Sequence, residues 1–157
     1  MTRNALVLLA AGGSAALLIG AYIFQALGYA PCALCWLQRY PHFAAVAAGL
    51  LALLTRGPTF PILGSIAASA TVILGAYHTG VERAWWQGPR SCVGDQGLGG
   101  LAGGDLLSTE AAPRVILCNQ VSWEFLGLSM ASWNAVLSLV LVVLWVLAAR
   151  RSAPRAL

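Results

Sequence analysis

Four cysteines are the residues of this sequence that could most readily carry chemistry, and they form two pairs. Cys32 and Cys35 make a C-x-x-C pair in the segment PCALCWLQRYPH, whereas Cys92 and Cys118 lie far apart in the second half of the chain. A C-x-x-C disulfide closes a very small loop, so it removes little chain entropy and stabilises a fold poorly. Because the thiolate pKa of such a pair is easily lowered, the pattern is typical of thiol–disulfide exchange. The first pair therefore favours a redox role.

Two other roles for the cysteines compete with a redox relay. A structural disulfide between Cys92 and Cys118 would hold the glycine-rich segment GDQGLGGLAGGD, but it would leave the first pair unexplained. A four-cysteine zinc site usually consists of two C-x-x-C pairs, and only the first pair has that spacing. The sequence therefore favours a relay over a structural staple or a zinc site, and it predicts no metal.

Charged and titratable side chains accompany the first pair. Arg39 follows Cys35 by four residues, so a helix starting near Cys35 would place both on one face. The helix N-terminus and the guanidinium would then both favour a Cys35 thiolate. A charge in an apolar segment indicates a functional site, although Arg39 could instead reach the lipid headgroups. His78 could exchange protons with the thiols or simply bond a carbonyl, and His42 is interpreted as structural.

The elements that carry these side chains are very apolar. The chain has 157 residues, of which 59% are hydrophobic and only 9% are charged, whereas soluble domains are about one quarter charged. We therefore predict an all-α membrane protein, a four-transmembrane-helix bundle in which the first apolar run is a retained helix rather than a signal peptide. It is a single domain, residues 1–157, with helices at about 5–24, 36–54, 60–79 and 132–149 and periplasmic loops at about 25–35 and 80–131.

The charges predict how this bundle is oriented. All five acidic residues fall within the predicted loop 80–131, whereas arginines without acidic neighbours occupy both termini and the short segment around Arg56. Short basic segments remain in the cytoplasm, so both termini are predicted to be cytoplasmic. All four cysteines then lie outside, where disulfides form and persist. The chain has no lysine and no basic patch, which argues against a nucleic-acid partner.

A membrane quinone is the electron acceptor that suits this sequence best. The sequence has no haem motif and no dinucleotide-binding fingerprint. A lipid-soluble quinone would need a cleft at the membrane surface, a donor or cation for its ring oxygens and a source of protons. Cys35, Arg39 and His78 could supply these functions.

Over essentially its whole length, the sequence resembles the DsbB family of bacterial inner-membrane thiol:quinone oxidoreductases. The resemblance rests on CALC with an arginine four residues later, on AYHTGVERAWWQGPRSC at the end of the third helix, and on CNQVSWEFLGLSMASWN before the fourth. It implies a multi-pass protein of the bacterial inner membrane that reoxidises a periplasmic, thioredoxin-like DsbA protein. Quinone would be the cofactor, with ubiquinone favoured over menaquinone.

The resemblance also implies a role for each site residue. The partner's thiolate would attack Cys92, and the freed Cys118 would then attack Cys32. Each exchange proceeds by attack of a thiolate on a disulfide sulfur. By position, the catalytic cysteines are Cys32, Cys35, Cys92 and Cys118, and the quinone-binding residues are Cys35, Arg39 and His78.

Three rival functions remain open from the sequence. An enzyme of the vitamin K epoxide reductase type also has four helices and two cysteine pairs, but there the C-x-x-C follows the loop cysteines, whereas here it precedes them. A non-catalytic membrane scaffold would use the cysteines structurally and would not depend on quinone. A specialised paralogue would oxidise one dedicated client, and sequence does not separate it from a general oxidase.

Overall fold

The computed structural model describes residues 1–92 and 117–152, which fold into four long helices and one small hairpin. The loop predicted at 80–131 therefore lies partly outside the described residues, because 93–116 are not among them. The helices are α1 (Arg3–Ala26), α2 (Ala33–Leu54), α3 (Thr59–Glu82) and α4 (Met130–Ser152), a 3₁₀ turn covers Arg90–Cys92, and the hairpin pairs β1 (Glu124–Phe125) with β2 (Leu128–Ser129).

Each helix contains its predicted segment and extends beyond it. At α2 the difference lies at the start, which is Ala33 instead of residue 36. Cys32 caps this helix, because its Sγ accepts the backbone N–H of Cys35 at 3.3 Å. Hydropathy could not locate these ends, because the terminal turns carry polar groups that the fold satisfies locally. The hairpin was not predicted; its turn uses positive φ angles at Leu126 and Gly127.

Three of the four helices are long and apolar enough to cross a membrane, judged by length and composition among the described residues. They are α1, α3 and α4. The second helix does not meet that criterion; it carries Gln38, Arg39 and His42 in its first half. Apolar side chains also face outward from the bundle, as Ile73 does with 68% of its surface exposed. A helical membrane architecture follows, whereas the count of four spans stays a prediction.

The helices run up and down, so that the start of α1 and the end of α4 meet at one end of the bundle. Arg3 at the start of α1 donates to Ser152 Oγ at 2.7 Å and to the carbonyl of Ala52 at 2.8 Å. Cys32 and Cys35 lie at the opposite end, at the start of α2, and Cys92 and Cys118 lie there too, after the end of α3. Among the described residues, Glu82 and Glu124 lie toward the cysteine end, whereas Arg3, Arg56 and Arg150 lie toward the other. This arrangement leaves open which end faces the cytoplasm.

The third and fourth helices, α3 and α4, pack closely against each other at Gly64, and a mutation there tests the packing. Trp145 is fully buried, and a Cβ built on Gly64 would lie 2.6 Å from its Cε2 atom. We expect Gly64→Ala to lower the free energy of unfolding by about 1–3 kcal/mol, because the indole would have to shift. Thermal unfolding of the purified protein in detergent measures this. Gly12→Ala is the matched control, because nothing lies within 4 Å of its Cβ; equal effects of the two changes would contradict the packing.

Candidate functional site

The first cysteine pair lies at the start of α2 as two free thiols. The Sγ atoms of Cys32 and Cys35 are 3.0 Å apart, and Cys32 is buried. The hydrogen bond from the Cys35 thiol, with a smaller contribution from His78, holds the pKa of Cys32 well below its usual range, while burial opposes them. The helix N-terminus thus acts on Cys32, because α2 starts three residues earlier than predicted, and not on Cys35 as the sequence suggested.

The second pair forms a disulfide. Cys92 and Cys118 are bonded with their Cα atoms 5.0 Å apart, and each is only 1% exposed. The Cys118 N–H also donates to the Cys92 carbonyl at 3.3 Å. Two of the four sulfurs that a four-cysteine zinc site would need are therefore joined to each other in this structure.

His78 is the point where the two pairs meet. The Sγ atoms of Cys32 and Cys118 and one ring nitrogen of His78 all lie within 4.8 Å of one another. Nε2 of His78 is 3.6 Å from Cys32 Sγ and 3.2 Å from the Cys118 carbonyl oxygen. Since a disulfide bond is about 2.05 Å long, the two sulfurs would have to approach by less than about 3 Å to exchange. The fold brings together, in one buried cluster, cysteines that are distant in sequence.

Arg39 is held inside the bundle and does not reach out to lipid headgroups. It is only 6% exposed and donates to Gln25 Oε1 at 2.8 Å and to the Ala21 carbonyl at 3.4 Å. Its guanidinium carbon also lies 4.5 Å from the ring centre of Tyr22 and 4.4 Å from that of Trp36. A guanidinium has five N–H donors. Since the described protein partners engage only its two terminal nitrogens, it retains donors for a ligand.

A cleft of about 450 Å³ opens beside these groups. We call it the inner cleft. Its walls are mainly apolar, and its polar residues include Cys35, Arg39, His78 and Glu82. This size falls within the range of about 300–1,000 Å³ that is usual for small-molecule sites. Apolar walls with a few convergent donors suit a flat, mostly apolar ring that carries oxygen atoms.

Two amide residues in the site were missed as functional candidates from the sequence. Gln38 Nε2 lies 2.9 Å from His78 Nδ1, and Asn134 Nδ2 donates to Gln38 Oε1 at 2.7 Å. His42 has no evident partner in the sequence, yet its Nε2 lies 2.9 Å from Asn134 Oδ1. A signal for Gln38 and His42 existed, because both fall on the helix face of Cys35 at spacings of three and seven.

Glu82 is a further missed residue and a buried carboxyl group. It ends α3 one turn after His78, and its Oε1 lies 3.9 Å from His78 Nε2. Ser129 at the end of the hairpin donates a hydrogen bond to Oε2 of Glu82. The sequence grouped Glu82 with the acidic residues of the loop, because an i+4 acid near a helix end also suits a solvated position.

Comparisons with known proteins agree with the resemblance seen in the sequence. Residues 3–148 match the family model described as "Disulfide bond formation protein DsbB". "Disulfide bond formation protein B" of Aromatoleum aromaticum is 33% identical over 142 residues, which cover 84% of this chain and 83% of that protein. "Disulfide bond formation protein B 2" of Pseudomonas aeruginosa is 34% identical over 151 residues, which cover 90% and 85%. No solved structure matches the chain.

Proposed function

Because the chain belongs to the DsbB family of disulfide bond formation proteins, and is therefore a disulfide oxidoreductase, we propose that it transfers electrons from a periplasmic dithiol protein to a membrane quinone. The electron donor would be a thioredoxin-like, DsbA-like protein, and the two cysteine pairs would act in series. The net reaction converts the partner's dithiol and quinone into the partner's disulfide and quinol.

The contact between the two pairs is the observation that carries this proposal. A sulfur of the outer disulfide, Cys118, lies within 4.8 Å of a sulfur of the inner pair, Cys32. Both sulfurs are buried beside His78, where a stray reductant has little access. A structural staple would not require this proximity, whereas a relay does.

The thiol steps balance in bonds and electrons. The partner's thiolate attacks Cys92, which forms a mixed disulfide and releases Cys118 as a thiolate. Cys118 attacks Cys32 of an oxidised inner pair and releases Cys35. The partner's second thiolate then frees Cys92, and Cys92 takes Cys118 back from Cys32. The outer disulfide is restored and the inner pair holds two thiols, which is the arrangement in this structure.

The inner cleft fits a quinone ring. Quinone bound there would supply the two-electron oxidant, so that the dithiol of Cys32 and Cys35 would return to a disulfide and its two electrons and two protons would leave with the quinol. Cys35 lines the cleft and would face the ring, while Arg39 would donate to a ring oxygen with the N–H groups that its protein partners do not use. His78, hydrogen-bonded toward Cys32, would stabilise the sulfur that loses its proton. Ubiquinone is the first acceptor to test, with menaquinone beside it.

We further propose that the cysteine end of the bundle faces the periplasm of a bacterial inner membrane. The four helices would all cross the membrane as one domain, with both termini in the cytoplasm. The support is the cluster of arginines at the other end of the described bundle, where Arg3, Arg56 and Arg150 lie near the helix ends. The second helix would carry its polar residues toward the bundle interior, as Arg39 already does.

The decisive experiment combines the purified protein in detergent, ubiquinone and a reduced thioredoxin-like periplasmic dithiol. Quinone loss, followed by ultraviolet absorbance, should be rapid and should depend on the dithiol. Cys92→Ser should reduce this rate to background, because the partner's thiolate loses its target. No quinone loss from correctly oxidised wild-type protein, with either ubiquinone or menaquinone, would favour a scaffold or a dedicated client.

A further inference from the structure

A continuous chain of hydrogen bonds runs from the interior of the bundle to the inner cysteine pair. His42 Nε2 bonds Asn134 Oδ1 at 2.9 Å, Asn134 Nδ2 bonds Gln38 Oε1 at 2.7 Å, and Gln38 Nε2 bonds His78 Nδ1 at 2.9 Å. The last link joins His78 Nε2 to Cys32 Sγ at 3.6 Å. Gln38, His42 and His78 are buried and Asn134 is half-buried, and all four line the inner cleft.

Two backbone carbonyls determine where the hydrogens lie in this chain. Gln38 Nε2 also lies 3.2 Å from the Leu34 carbonyl oxygen, which can only accept. That contact identifies the Gln38 amide nitrogen, so His78 Nδ1 must accept and carries no hydrogen. Independently, His78 Nε2 lies 3.2 Å from the Cys118 carbonyl oxygen, which also can only accept. Both ends therefore require the proton of His78 to be on Nε2.

The rest of the chain follows from the orientation of Gln38. Since Oε1 of Gln38 accepts, Asn134 must present its amide nitrogen, and its oxygen then accepts from His42. If the Gln38 amide were turned over, its oxygen would face the Leu34 carbonyl oxygen and its nitrogen would face the amide nitrogen of Asn134. Three hydrogen bonds would be lost together. The amide of Gln38 therefore has one stable orientation.

We propose that Gln38, held by the Leu34 carbonyl and by Asn134, keeps His78 in the neutral form with its proton on Nε2. His78 is then a fixed hydrogen-bond donor to the sulfur of Cys32, and it does not carry protons. Gln38 and Asn134 are positioning residues, because they act on the sulfur only through His78. Amide side chains do not exchange protons readily, so the chain orients the imidazole instead of conducting.

The groups around His78 favour a second proton on its ring, and the amide of Gln38 opposes that proton. We call this restraint of His78 by Gln38 the lock. Cys32 and Cys35 face it from α2, the carboxyl group of Glu82 lies 3.9 Å away on α3, and Cys118 contributes a carbonyl and a disulfide sulfur. Anionic neighbours favour a second proton on an imidazole. The second proton would lie on Nδ1 and would face the hydrogens of the Gln38 amide nitrogen. The amide therefore disfavours protonation of His78 at Nδ1. In the proposed thiol oxidase, on which this consequence rests, protons must then move through the thiols and Glu82.

Nitrogen NMR of the full-length protein in detergent, labelled with ¹⁵N-histidine, tests the lock without quinone or partner. The chain has 2 histidines, so His78→Gln identifies the signal of His78. We expect one tautomer, protonated on Nε2, that does not change between about pH 5 and pH 8, where a free imidazole titrates. The same result is expected with the inner pair reduced or oxidised. A titration midpoint inside that range, or a proton on Nδ1, would overturn the proposal.

Two variants separate the lock from a general effect of burial. In Gln38→Glu, a carboxylate can accept from Nδ1, so His78 should hold both protons across the same pH range. In Asn134→Leu, Gln38 keeps its bond to the Leu34 carbonyl but its Oε1 loses its donor, so the amide should turn over more easily and a minor population of His78 should carry its proton on Nδ1. If both variants behaved like the wild type, the histidine would be held by something other than Gln38. Because neither measurement uses turnover, a failure of the proposed quinone activity would leave this result interpretable.

Discussion

In Cys35→Ala, quinone reduction driven by the periplasmic dithiol should fall by about a thousandfold or more, which is the usual scale for loss of a nucleophile that acts within a catalytic unit. Cys35 is the partly exposed member of the inner pair and lines the inner cleft, whereas Cys32 faces His78 and the outer disulfide. Without Cys35, the inner disulfide cannot form, and Cys32 is the one thiol of the inner pair left beside the cleft.

The same variant should accumulate a disulfide that joins one cysteine of the inner pair to one cysteine of the outer pair. Cys32 would lack its usual partner, and its sulfur lies within 4.8 Å of Cys118 Sγ. The Cys32 thiolate can attack Cys118 and release Cys92 as a thiolate, so a Cys32–Cys118 disulfide should accumulate, and mass spectrometry of unreduced peptides measures it. Cys35→Ser is the matched control, because a hydroxyl can still hydrogen-bond Cys32 but cannot form a disulfide; it should also be inactive. Normal quinone reduction in either variant would remove Cys35 from the mechanism.

Composition and periodicity predicted the helices well and their ends poorly. Long apolar runs identify a helix whichever neighbours it has, so the centres of α1, α3 and α4 were predictable from hydropathy alone. The start of α2 was not, because it depends on Cys32 accepting the N–H of Cys35. That cap moves the helix N-terminus from one thiol to the other, which changes which sulfur the backbone stabilises.

The candidate site was predictable where residue type implies chemistry, and it was missed where the role depends on tertiary contacts. Thiols, a buried arginine and a histidine at a helix end are conspicuous in an apolar sequence. Gln38 and Asn134 are ordinary amides until α2 and α4 bring them within 2.7 Å of each other. Their spacing of 96 residues carries no periodic signal. For His78, residue type suggested proton exchange, whereas its contacts with Gln38 and the Cys118 carbonyl support the fixed donor role that we propose.

Arg39 provides the second large expected effect, because it is the only fixed cation among the residues that line the inner cleft in the described part of the chain. In Arg39→Ala, the KM for quinone should rise by about 10- to 150-fold, since a hydrogen bond to a charged group contributes about 1.5–3 kcal/mol. Steady-state rates at limiting and at saturating quinone measure this, because a binding defect is overcome by substrate and a chemical defect is not. Exchange between the partner and the Cys92–Cys118 disulfide, followed by acid quenching, should be unaffected.

Arg39→Lys distinguishes the geometry of this cation from its charge. The guanidinium lies against the rings of both Tyr22 and Trp36 and is hydrogen-bonded to Gln25, and these contacts need a planar, forked group. A lysine ammonium keeps the charge but loses the stacking and the second direction of donation, so the KM should lie between those of the wild type and Arg39→Ala. Equal activity of Arg39→Ala and wild type at limiting quinone would falsify the assignment. A lysine variant as weak as alanine would show that orientation, more than charge, is what the two aromatic rings provide.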